Sequence, residues 1–373
     1  MNVKFFMPKL SLLPFLAVTL VLFNSVGNLM LFSTQNELNI QAGQNKIKLT
    51  KIRTIENAHK GTFSPDGKLL AVIGRDYVDI VEISDGHRLV HIAPDKATML
   101  GARFSPDGRI LAIASKIIEN SQTNPFKVTL WNVSTGKEKL SLPIFNDEWY
   151  RVIDDLSFSK DGELLASNLG GKVRLWKTSD GSEARLFLPT EDKLQVQSER
   201  VLLSPNGHWL AIYFKNDNLS VNVIHLLNLS TQRRIDLATN VYRDWEFSSD
   251  SRFLAVTAIQ RKGHSDEHSA VEMWDISSGQ PRKIIEVPDK WRGAFTVTFS
   301  PDATMIAIGG YKKFGLFSIQ TGGLLAEAQH PQTRFFEDSE HVYEITDIEF
   351  SPDGSLLLTG GNDGRIKLWK VSK

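Results

Sequence analysis

The five residues Phe63-Ser64-Pro65-Asp66-Gly67 decide the fold, because their pattern returns along most of the chain. Proline presets the backbone angle of the first turn position, aspartate accepts hydrogen bonds from the nearby backbone, and glycine tolerates a positive φ. The apolar strand Leu69–Gly74 follows the turn, and a short β pattern precedes it. The stretch therefore predicts a tight hairpin turn between two strands.

Six further copies of this turn, intact or degraded, follow the first, and successive copies start 41, 54, 45, 44, 52 and 51 residues apart. Each copy is followed by an apolar strand and a third strand, and all but the last also by a second turn and a fourth strand, without a sustained helical period. Four short strands in each of seven repeats predict an all-β fold, a seven-bladed β-propeller. The further copies are Phe104–Gly108, Phe158–Gly162, Leu203–Gly207, Phe247–Ser251, Phe299–Ala303 and Phe350–Gly354.

The last blade needs a strand from the other end of the sequence. It has only three strands of its own: one that ends at Phe350 and two that fit between the turn and the end of the sequence, four residues after Trp369. Residues 47–55 (IKLTKIRTI) alternate apolar with polar or charged side chains and precede the first blade. We expect them to supply the missing outer strand, which closes the ring and removes the open sheet edge at the seam.

The repeats resemble those of the WD40 family, and the resemblance covers residues 47–373. Four tryptophans stand where that family has its Trp-Asp dipeptide, although only Trp274-Asp275 keeps the aspartate: Trp131, Trp176, Trp274 and Trp369. Blades 1, 4 and 6 match less well and carry other residues near that position: Glu82, Leu227 and Phe317. The resemblance implies a binding platform, since WD40 domains serve many functions of that kind.

The last repeat is the most similar to the family. His341, Thr359, Asp363 and Trp369 lie at the offsets of the family's buried His–Ser/Thr–Asp–Trp hydrogen-bond network. The resemblance implies that these four residues are structural. A buried network of this kind stabilises a blade because its polar groups are paired.

The repeats that are longer than the shortest spacing of 41 residues contain inserts, and these inserts fall at one end of the blades. Two inserts separate second from third strands, and three precede first strands. In a propeller both kinds of connection emerge on the same face, here called the top face, whereas the FSPDG turns emerge on the other. Long insertions predict that binding occurs at the top face. The inserts are Lys116–Phe126, Gln260–Ala270, Ile144–Val152, Thr190–Gln197 and Pro331–Tyr343.

Aromatic and arginine side chains stand at the entries to the first strands on this face. Such residues dominate protein–protein interfaces, because they bury a large area and keep a polar group. Two interpretations are open: a ring of partner-binding side chains around the channel mouth, or ordinary packing between blades with ion pairs to nearby acids. The residues are Trp149, Tyr150, Arg151, Tyr242, Arg243, Trp291, Arg292 and Tyr343.

The composition excludes several classes of function. The 373 residues include 43 Lys and Arg and 43 Asp and Glu, and a net charge of zero argues against a generic nucleic-acid binder. The absence of cysteine excludes disulfides, thiolate metal sites and cysteine nucleophiles. His264 and His268 are interpreted as loop residues rather than metal ligands. Neither a nucleophile elbow nor a phosphate-binding loop occurs, so we expect no catalytic residue, cofactor or metal.

The N-terminal segment differs from the repeats. Lys4 and Lys9 precede the apolar run Leu10–Phe23, which is the pattern of a secretory signal. One interpretation places a cleavage after Ser25-Val26-Gly27. The other keeps residues 10–32 as an uncleaved membrane anchor.

Three parts of the chain follow from these patterns: residues 1–32 as signal peptide or signal anchor, 33–46 as polar linker, and 47–373 as propeller. In both interpretations the propeller is exported, either as a soluble periplasmic or extracytoplasmic domain or as a membrane-anchored one. We expect a diverged, bacterial-type member of the family whose propeller is monomeric.

The sequence predicts a non-catalytic scaffold that presents its top face to a protein partner. Two alternatives are kept: an extracytoplasmic enzyme or small-ligand binder at the channel mouth, and a structural component of an envelope complex held by its anchor. Exposed, clustered Trp149, Trp291 and Arg292 would favour the scaffold. Carboxylates or histidines with perturbed pKa values in a deep pocket at the channel would favour the enzyme.

Overall fold

The computed structural model describes residues 47–118, 126–142, 156–169, 172–187, 197–215, 222–239, 241–262, 266–330 and 344–372. These residues form seven four-stranded antiparallel sheets, which confirms the predicted all-β, seven-bladed propeller. The first strands of neighbouring blades contact one another and form the inner side of the ring. The predicted signal or anchor, residues 1–32, and the linker, residues 33–46, lie outside the described residues.

Blades 1 to 3 each consist of four consecutive strands. Blade 1 contains β2 (Ala58–Phe63), β3 (Leu69–Gly74), β4 (Val78–Glu82) and β5 (Arg88–Ile92). Blade 2 contains β6 (Ala97–Phe104), β7 (Ile110–Ile117), β8 (Phe126–Asn132) and β9 (Lys137–Ser141). Blade 3 contains β10 (Leu156–Phe158), β11 (Leu164–Leu169), β12 (Lys172–Lys177) and β13 (Glu183–Phe187).

Blades 4 to 6 repeat this order. Blade 4 contains β14 (Gln197–Leu203), β15 (Trp209–Lys215), β16 (Asn222–Asn228) and β17 (Arg234–Thr239). Blade 5 contains β18 (Val241–Phe247), β19 (Phe253–Lys262), β20 (Asp266–Asp275) and β21 (Gln280–Glu286). Blade 6 contains β22 (Thr296–Phe299), β23 (Met305–Gly309), β24 (Lys313–Ser318) and β25 (Leu324–Gln329), and a short 3-10 helix, Asp289–Trp291, precedes it.

Blade 7 joins the two ends of the propeller. Its strands are β26 (Ile345–Phe350), β27 (Leu356–Gly361), β28 (Arg365–Ser372) and, on the outside, β1 (Lys48–Glu56). β1 pairs antiparallel with β28, from Lys48 opposite Ser372 to Glu56 opposite Arg365. The predicted closing strand is therefore confirmed, with its range shifted by one residue.

The seven FSPDG-type turns share one hydrogen-bond pattern. In the first, the Ser64 hydroxyl donates to Asp66 Oδ1 at 2.6 Å and accepts the Leu69 backbone N–H at 2.8 Å. The Ser64 hydroxyl and the Lys68 backbone N–H both donate to the Asp66 carboxylate and lower its pKa. Ser64 is buried, so its hydroxyl needs these partners. This explains why serine, besides proline, aspartate and glycine, recurs in the turn.

The core lies between blades rather than within them. One cluster joins apolar side chains of blades 1 and 2, and every member is less than a tenth exposed: Ala71, Ile73, Val78, Ile80, Ile92, Ala97, Met99, Phe104, Leu111, Ile113 and Val133. A blade is thus stabilised by burial against its neighbours, as in other repeat proteins.

The register fixes which residue of each third strand takes the tryptophan position. Trp369 lies opposite Leu357, and Leu227 and Phe317 occupy the corresponding places in blades 4 and 6. In blade 1 that place belongs to Val81, opposite Leu70, and the predicted Glu82 is one residue further along. Glu82 would put a charge between blades, whereas Val81 continues the apolar contact.

The insert of blade 5 is mostly strand rather than the loop that the sequence predicts. β19 and β20 pair from Phe253 opposite Asp275 to Lys262 opposite Asp266. His268 lies in β20 opposite Gln260, and His264 lies outside the described residues. Within the described part of the chain no group of three or more histidine, aspartate or glutamate residues is placed to hold a metal. The same residues contain no helix of sufficient length and apolarity to cross a membrane.

Candidate binding site at the top of blades 5 to 7

The described residues bring several predicted top-face positions together above blades 5 to 7. β22 ends at the turn that begins with Ser300, on the face of the FSPDG turns. Arg292 precedes the start of that strand, and Tyr311 lies between β23 and β24. Both therefore lie at the opposite end of the blade, on the top face.

Arg243 connects three blades at this end. It precedes the blade 5 turn by a few residues, and its Nη1 forms an ion pair with Glu344 Oε2 at the entry to blade 7. Its guanidinium carbon also lies 4.7 Å from the centroid of the Phe295 ring of blade 6. The side chain of Arg243 is 40% exposed, so this bridge faces solvent. Arg243 thus forms an ion pair with a nearby acid, as one of the two sequence interpretations expects, and its side chain still lies at the surface.

Arg292, Tyr311 and Lys312 form the second feature of this site, here called the blade 6 cluster. The Arg292 guanidinium carbon lies 5.6 Å and the Lys312 Nζ 5.0 Å from the centroid of the Tyr311 ring. Arg292 is exposed, and Tyr311 and Lys312 are half-buried. Two cations from different segments therefore share one aromatic ring at the surface.

Trp291 does not belong to the exposed ring that the sequence suggests. It is fully buried, and its ring packs edge-on against Phe317 with 5.7 Å between centroids. Gly315 makes this possible, since a Cβ at that position would lie 2.7 Å from the Trp291 ring. Trp291 fills space that a larger residue on the third strand of blade 6 would occupy.

The side chains of the remaining members of the predicted ring are outside the part of the chain that the structure describes. Trp149, Tyr150, Arg151 and Tyr343 lie outside the described residues, and so does the side chain of Tyr242. The candidate site therefore comprises Arg243 with Phe295 and Glu344, and the blade 6 cluster.

The buried network of blade 7 contains a different histidine from the predicted one. Trp369 Nε1 donates to Thr359 Oγ1 at 2.8 Å, and His330 Nδ1 lies 3.0 Å from the same oxygen. His330 Nε2 lies 3.3 Å from Asp363 Oδ1. His330 thus takes the role that the spacing assigns to His341, which lies outside the described residues.

A buried lysine lies beside the aspartate of this network. Lys367 is buried, and its Nζ lies 3.6 Å from Asp363 Oδ2. Burial lowers the pKa of Lys367 to about 8, although Asp363 opposes the change. Burial also lowers the pKa of His330, which favours the neutral ring in this network. This network lies beneath the surface, so its role is to stabilise blade 7.

The tryptophans at the corresponding position of blades 2, 3 and 5 have different partners for the indole N–H. Trp176 donates to Ser167 Oγ at 2.8 Å, in the position of Thr359. Trp131 donates to Thr129 on its own strand at 2.7 Å, and Trp274 to Glu272 at 3.2 Å. The indole N–H is thus paired in each of these blades, with or without a histidine.

A second polar system joins the first strands of neighbouring blades. Asp244 of blade 5 accepts the Val297 backbone N–H of blade 6 at 2.8 Å. Asp347 of blade 7 accepts the Gly61 N–H of blade 1, also at 2.8 Å. Each aspartate stands three residues before the first residue of its FSPDG-type turn. These bonds couple one blade to the next on the inner side of the ring.

Glu349 extends this system over three blades. Its Oε1 accepts the Phe63 N–H at 3.0 Å and the Thr62 hydroxyl at 3.1 Å, and its Oε2 lies 3.2 Å from Arg103 Nη1. Burial raises the pKa of Glu349 to about 7, and Arg103 counteracts part of that change. The sequence interpretation missed these acids, although an aspartate three residues before the turn phenylalanine, at 244–247 and 347–350, marks the pattern.

Comparison with known proteins agrees with this architecture. Residues 332–370 match the family model described as WD domain, G-beta repeat. The chain is 24% identical over 252 residues to a serine-threonine kinase receptor-associated protein of Dictyostelium discoideum, which covers 66% of this chain and 73% of that protein. It is 24% identical over 282 residues to a subunit of chromatin assembly factor 1 of Gallus gallus, covering 70% and 41%.

A third relative is similar over a longer part of this chain. The NACHT domain- and WD repeat-containing protein 1 of Mus musculus is 22% identical over 332 residues, which cover 86% of this chain. The alignments span less than half of the second and third relatives, at 41% and 19% of their lengths. All three come from eukaryotes, so the bacterial-type origin stays a prediction. The matched last repeat and the seven four-stranded blades support the WD40 repeat family for this chain.

Proposed function

We propose that this protein is a non-catalytic scaffold that binds a protein partner with the top face of its propeller. The observation that supports this most is the group of arginine and aromatic side chains at the top of blades 5 to 7. Arg243 of blade 5 lies over Phe295 of blade 6, and Arg292 lies over Tyr311 within blade 6. Arginine and aromatic residues are the types that contribute most to protein–protein binding.

The relatives favour the same function. Their names describe a receptor-associated protein and a component of an assembly factor, and both names imply work in association with other proteins. The identity of the partner does not follow from them, because the similarity is low and covers only parts of those proteins.

The enzyme alternative receives less support. Glu349 has the raised pKa expected of a catalytic carboxylate. Both of its oxygens, however, lie within hydrogen-bond distance of side chains or backbone of other blades. Its contacts favour a role in joining blades 7, 1 and 2.

A location outside the cytoplasm is part of the proposal and rests on the N-terminal sequence. Lys4, Lys9 and the apolar run Leu10–Phe23 support export. Fusing the full chain to a reporter that is active only after export tests this, with a matched fusion that lacks residues 1–32. Activity of the first fusion alone is expected. Equal activity of both would contradict export, and the mass of the exported product would distinguish cleavage from anchoring.

Site-specific photocrosslinking tests the scaffold. A photoreactive residue is placed at position 292 on the top face and, as the matched control, at position 109, where an exposed arginine lies beside an FSPDG turn on the opposite face. We expect a crosslinked protein from position 292 and none from position 109 in cells that produce the chain. Equal products from both faces, or none from position 292, would reject top-face binding.

A further inference from the structure

We propose that the free edge of β25, the outer strand of blade 6, binds an extended segment of a partner protein as a fifth strand. In this segment apolar side chains alternate with uncharged polar ones. The inference goes beyond the top-face function, because it concerns another surface of the propeller. It starts from the backbone of β25 (Leu324–Gln329), whose inner edge pairs with β24.

The register shows which backbone groups of β25 face outwards. The His330 N–H donates to the Lys312 carbonyl at 2.8 Å, and in an antiparallel pair such bonds recur at every second residue. Gln329 and Glu327 fall between the bonded positions, so their N–H and carbonyl groups point away from β24. Among the described residues, these backbone groups have no hydrogen-bond partner. The free edge can therefore both donate and accept hydrogen bonds.

β25 lacks the protection that the other outer strands have. A free strand edge is a template for pairing with another chain, and proteins block it with charged side chains, above all lysine. Each of the other outer strands contains at least one lysine or arginine, whereas β25 contains none: β1, β5, β9, β13, β17 and β21. The one charged residue of β25, Glu327, forms an ion pair with Lys290 at 3.0 Å. The edge of blade 6 is thus the one without a cationic barrier to pairing.

Exposed apolar side chains lie on β25 and on the outer strands of both neighbouring blades. Leu324 of β25 is 41% exposed, Ile284 of β21 47% and Ile52 of β1 52%. β1 also contacts β25. A strand that is added to blade 6 would cover part of this surface, and the burial of apolar area would add to its backbone hydrogen bonds.

The two faces of β25 specify the alternation in the partner segment. Leu325, Ala326 and Ala328 pack on the side of blade 7, whereas Glu327 lies beside Lys290 on the other side. An added strand continues both faces, so its apolar side chains belong on the first and its polar ones on the second. Lys290 already neutralises Glu327, which favours an uncharged neighbour.

The same charge argues against a second copy of this chain as the occupant. Antiparallel pairing of two β25 strands about Glu327 would place one glutamate opposite another. Like charges that lie directly opposite each other destabilise a strand pair. A segment of a different protein avoids this contact.

Peptide binding to the full chain tests the free edge. The probe is a fluorescent seven-residue peptide of alternating Val and Thr, and binding is followed by anisotropy. The control peptide is N-methylated at every amide, so it cannot donate hydrogen bonds. The variant is Gln329→Pro, which removes an outward N–H and leaves the bonds to β24 in place.

The matched variant, Ser141→Pro, makes the same change on β9 of blade 2. Ser141 is exposed and precedes Leu142, whose N–H donates to the Val128 carbonyl, as His330 does to Lys312. Its N–H therefore also points outwards. β9 contains Lys137 and Lys139, so we expect no peptide to bind at its edge.

We expect the Val-Thr peptide to bind wild type and Ser141→Pro alike. Gln329→Pro should bind it roughly tenfold or more weakly, because the edge loses a donor and the proline ring obstructs it. The N-methylated peptide should not bind. Equal affinity of the two proline variants, or equal binding of the two peptides, would overturn strand addition at β25.

Sedimentation equilibrium of the same proteins tests the other occupant. We expect Gln329→Pro to leave the oligomeric state of wild type unchanged. A wild-type dimer that Gln329→Pro dissociates would assign the edge to a second copy and overturn the partner segment. Crosslinking at position 292 involves another surface, so the scaffold function is tested independently of these results.

Discussion

Arg103 of blade 2 and Glu349 of blade 7 are in ionic contact, with 3.2 Å between Nη1 and Oε2, although blade 1 lies between them in the ring. Arg243 and Glu344 repeat this relationship on the other side, from blade 5 to blade 7 across blade 6. The blade that closes the ring is therefore held to blades two places away on both sides, in addition to its contacts with blades 1 and 6.

Glu349 should make stability depend on pH. Burial raises its pKa to about 7, above the ordinary value of 4.5, so the folded state holds this proton more tightly than the unfolded state. Its contribution is present below about pH 4.5 and is lost as the pH rises through about 7. We expect wild type to lose stability relative to Glu349→Gln between about pH 5 and pH 7.5, measured as urea midpoints. Parallel pH profiles for the two proteins would contradict this assignment.

Thr359 should contribute more to stability than a threonine in a similar contact elsewhere. Thr359→Val leaves the Trp369 N–H and His330 Nδ1 without their buried partner, which should cost about 1–3 kcal/mol. Thr129→Val is the matched control, since Thr129 also accepts an indole N–H, from the half-buried Trp131, which can reach water. We expect its cost to be below about 1 kcal/mol. Equal losses of unfolding free energy would show that burial of the network is not what matters.

Substituting the two candidate histidines separately distinguishes the observed network from the one that the sequence predicts. His330→Ala should lower the unfolding free energy by about 2–4 kcal/mol, since it removes a buried ring and a hydrogen bond. His341→Ala should change it by less than about 0.5 kcal/mol. Thermal melts of both variants decide the point, and a larger loss for His341→Ala would assign the network to that residue.

Replacing Ala303 with glycine should stabilise the protein. It occupies the glycine position of its turn with φ at 51°, where an L side chain is strained. We expect Ala303→Gly to stabilise the protein by up to about 1 kcal/mol, because relief of strain of about 1–2 kcal/mol exceeds the added entropy of the unfolded chain. The reverse change, Gly354→Ala at φ 71°, should destabilise it by about 1 kcal/mol or more. Shifts of the same sign in urea unfolding would contradict this explanation.

The fold was predictable because its signal is local. A turn such as Ser64–Gly67 carries its own hydrogen bonds, so each copy can be recognised without knowledge of the ring. The closing strand was predictable by counting strands. The histidine of the network was not, because a long insert separates His330 from Thr359 and its length makes spacing an unreliable guide.

The candidate site was only partly predictable, since its geometry depends on contacts between distant segments. Arg292 was identified from its place before a first strand, but Trp291 beside it points inward because Gly315, on another strand, leaves room for its ring. The pairing of Arg292 with Tyr311 and Lys312 depends on how two loops approach each other. The acids Asp244 and Asp347 are visible as a repeated pattern, but their partners belong to the next blade.

The pairing of β1 with β28 also sets the order of events during synthesis. Ser372 and Lys48 are 324 positions apart in the sequence, so the outermost strand of blade 7 is made first and finds its partner last. Until then its backbone is an unpaired edge that other chains can join. A nascent chain can complete the intervening hairpins locally, but this contact has the highest sequence separation and the slowest expected formation. The interval between the emergence of the two strands is when the protein is most exposed to aggregation and proteolysis.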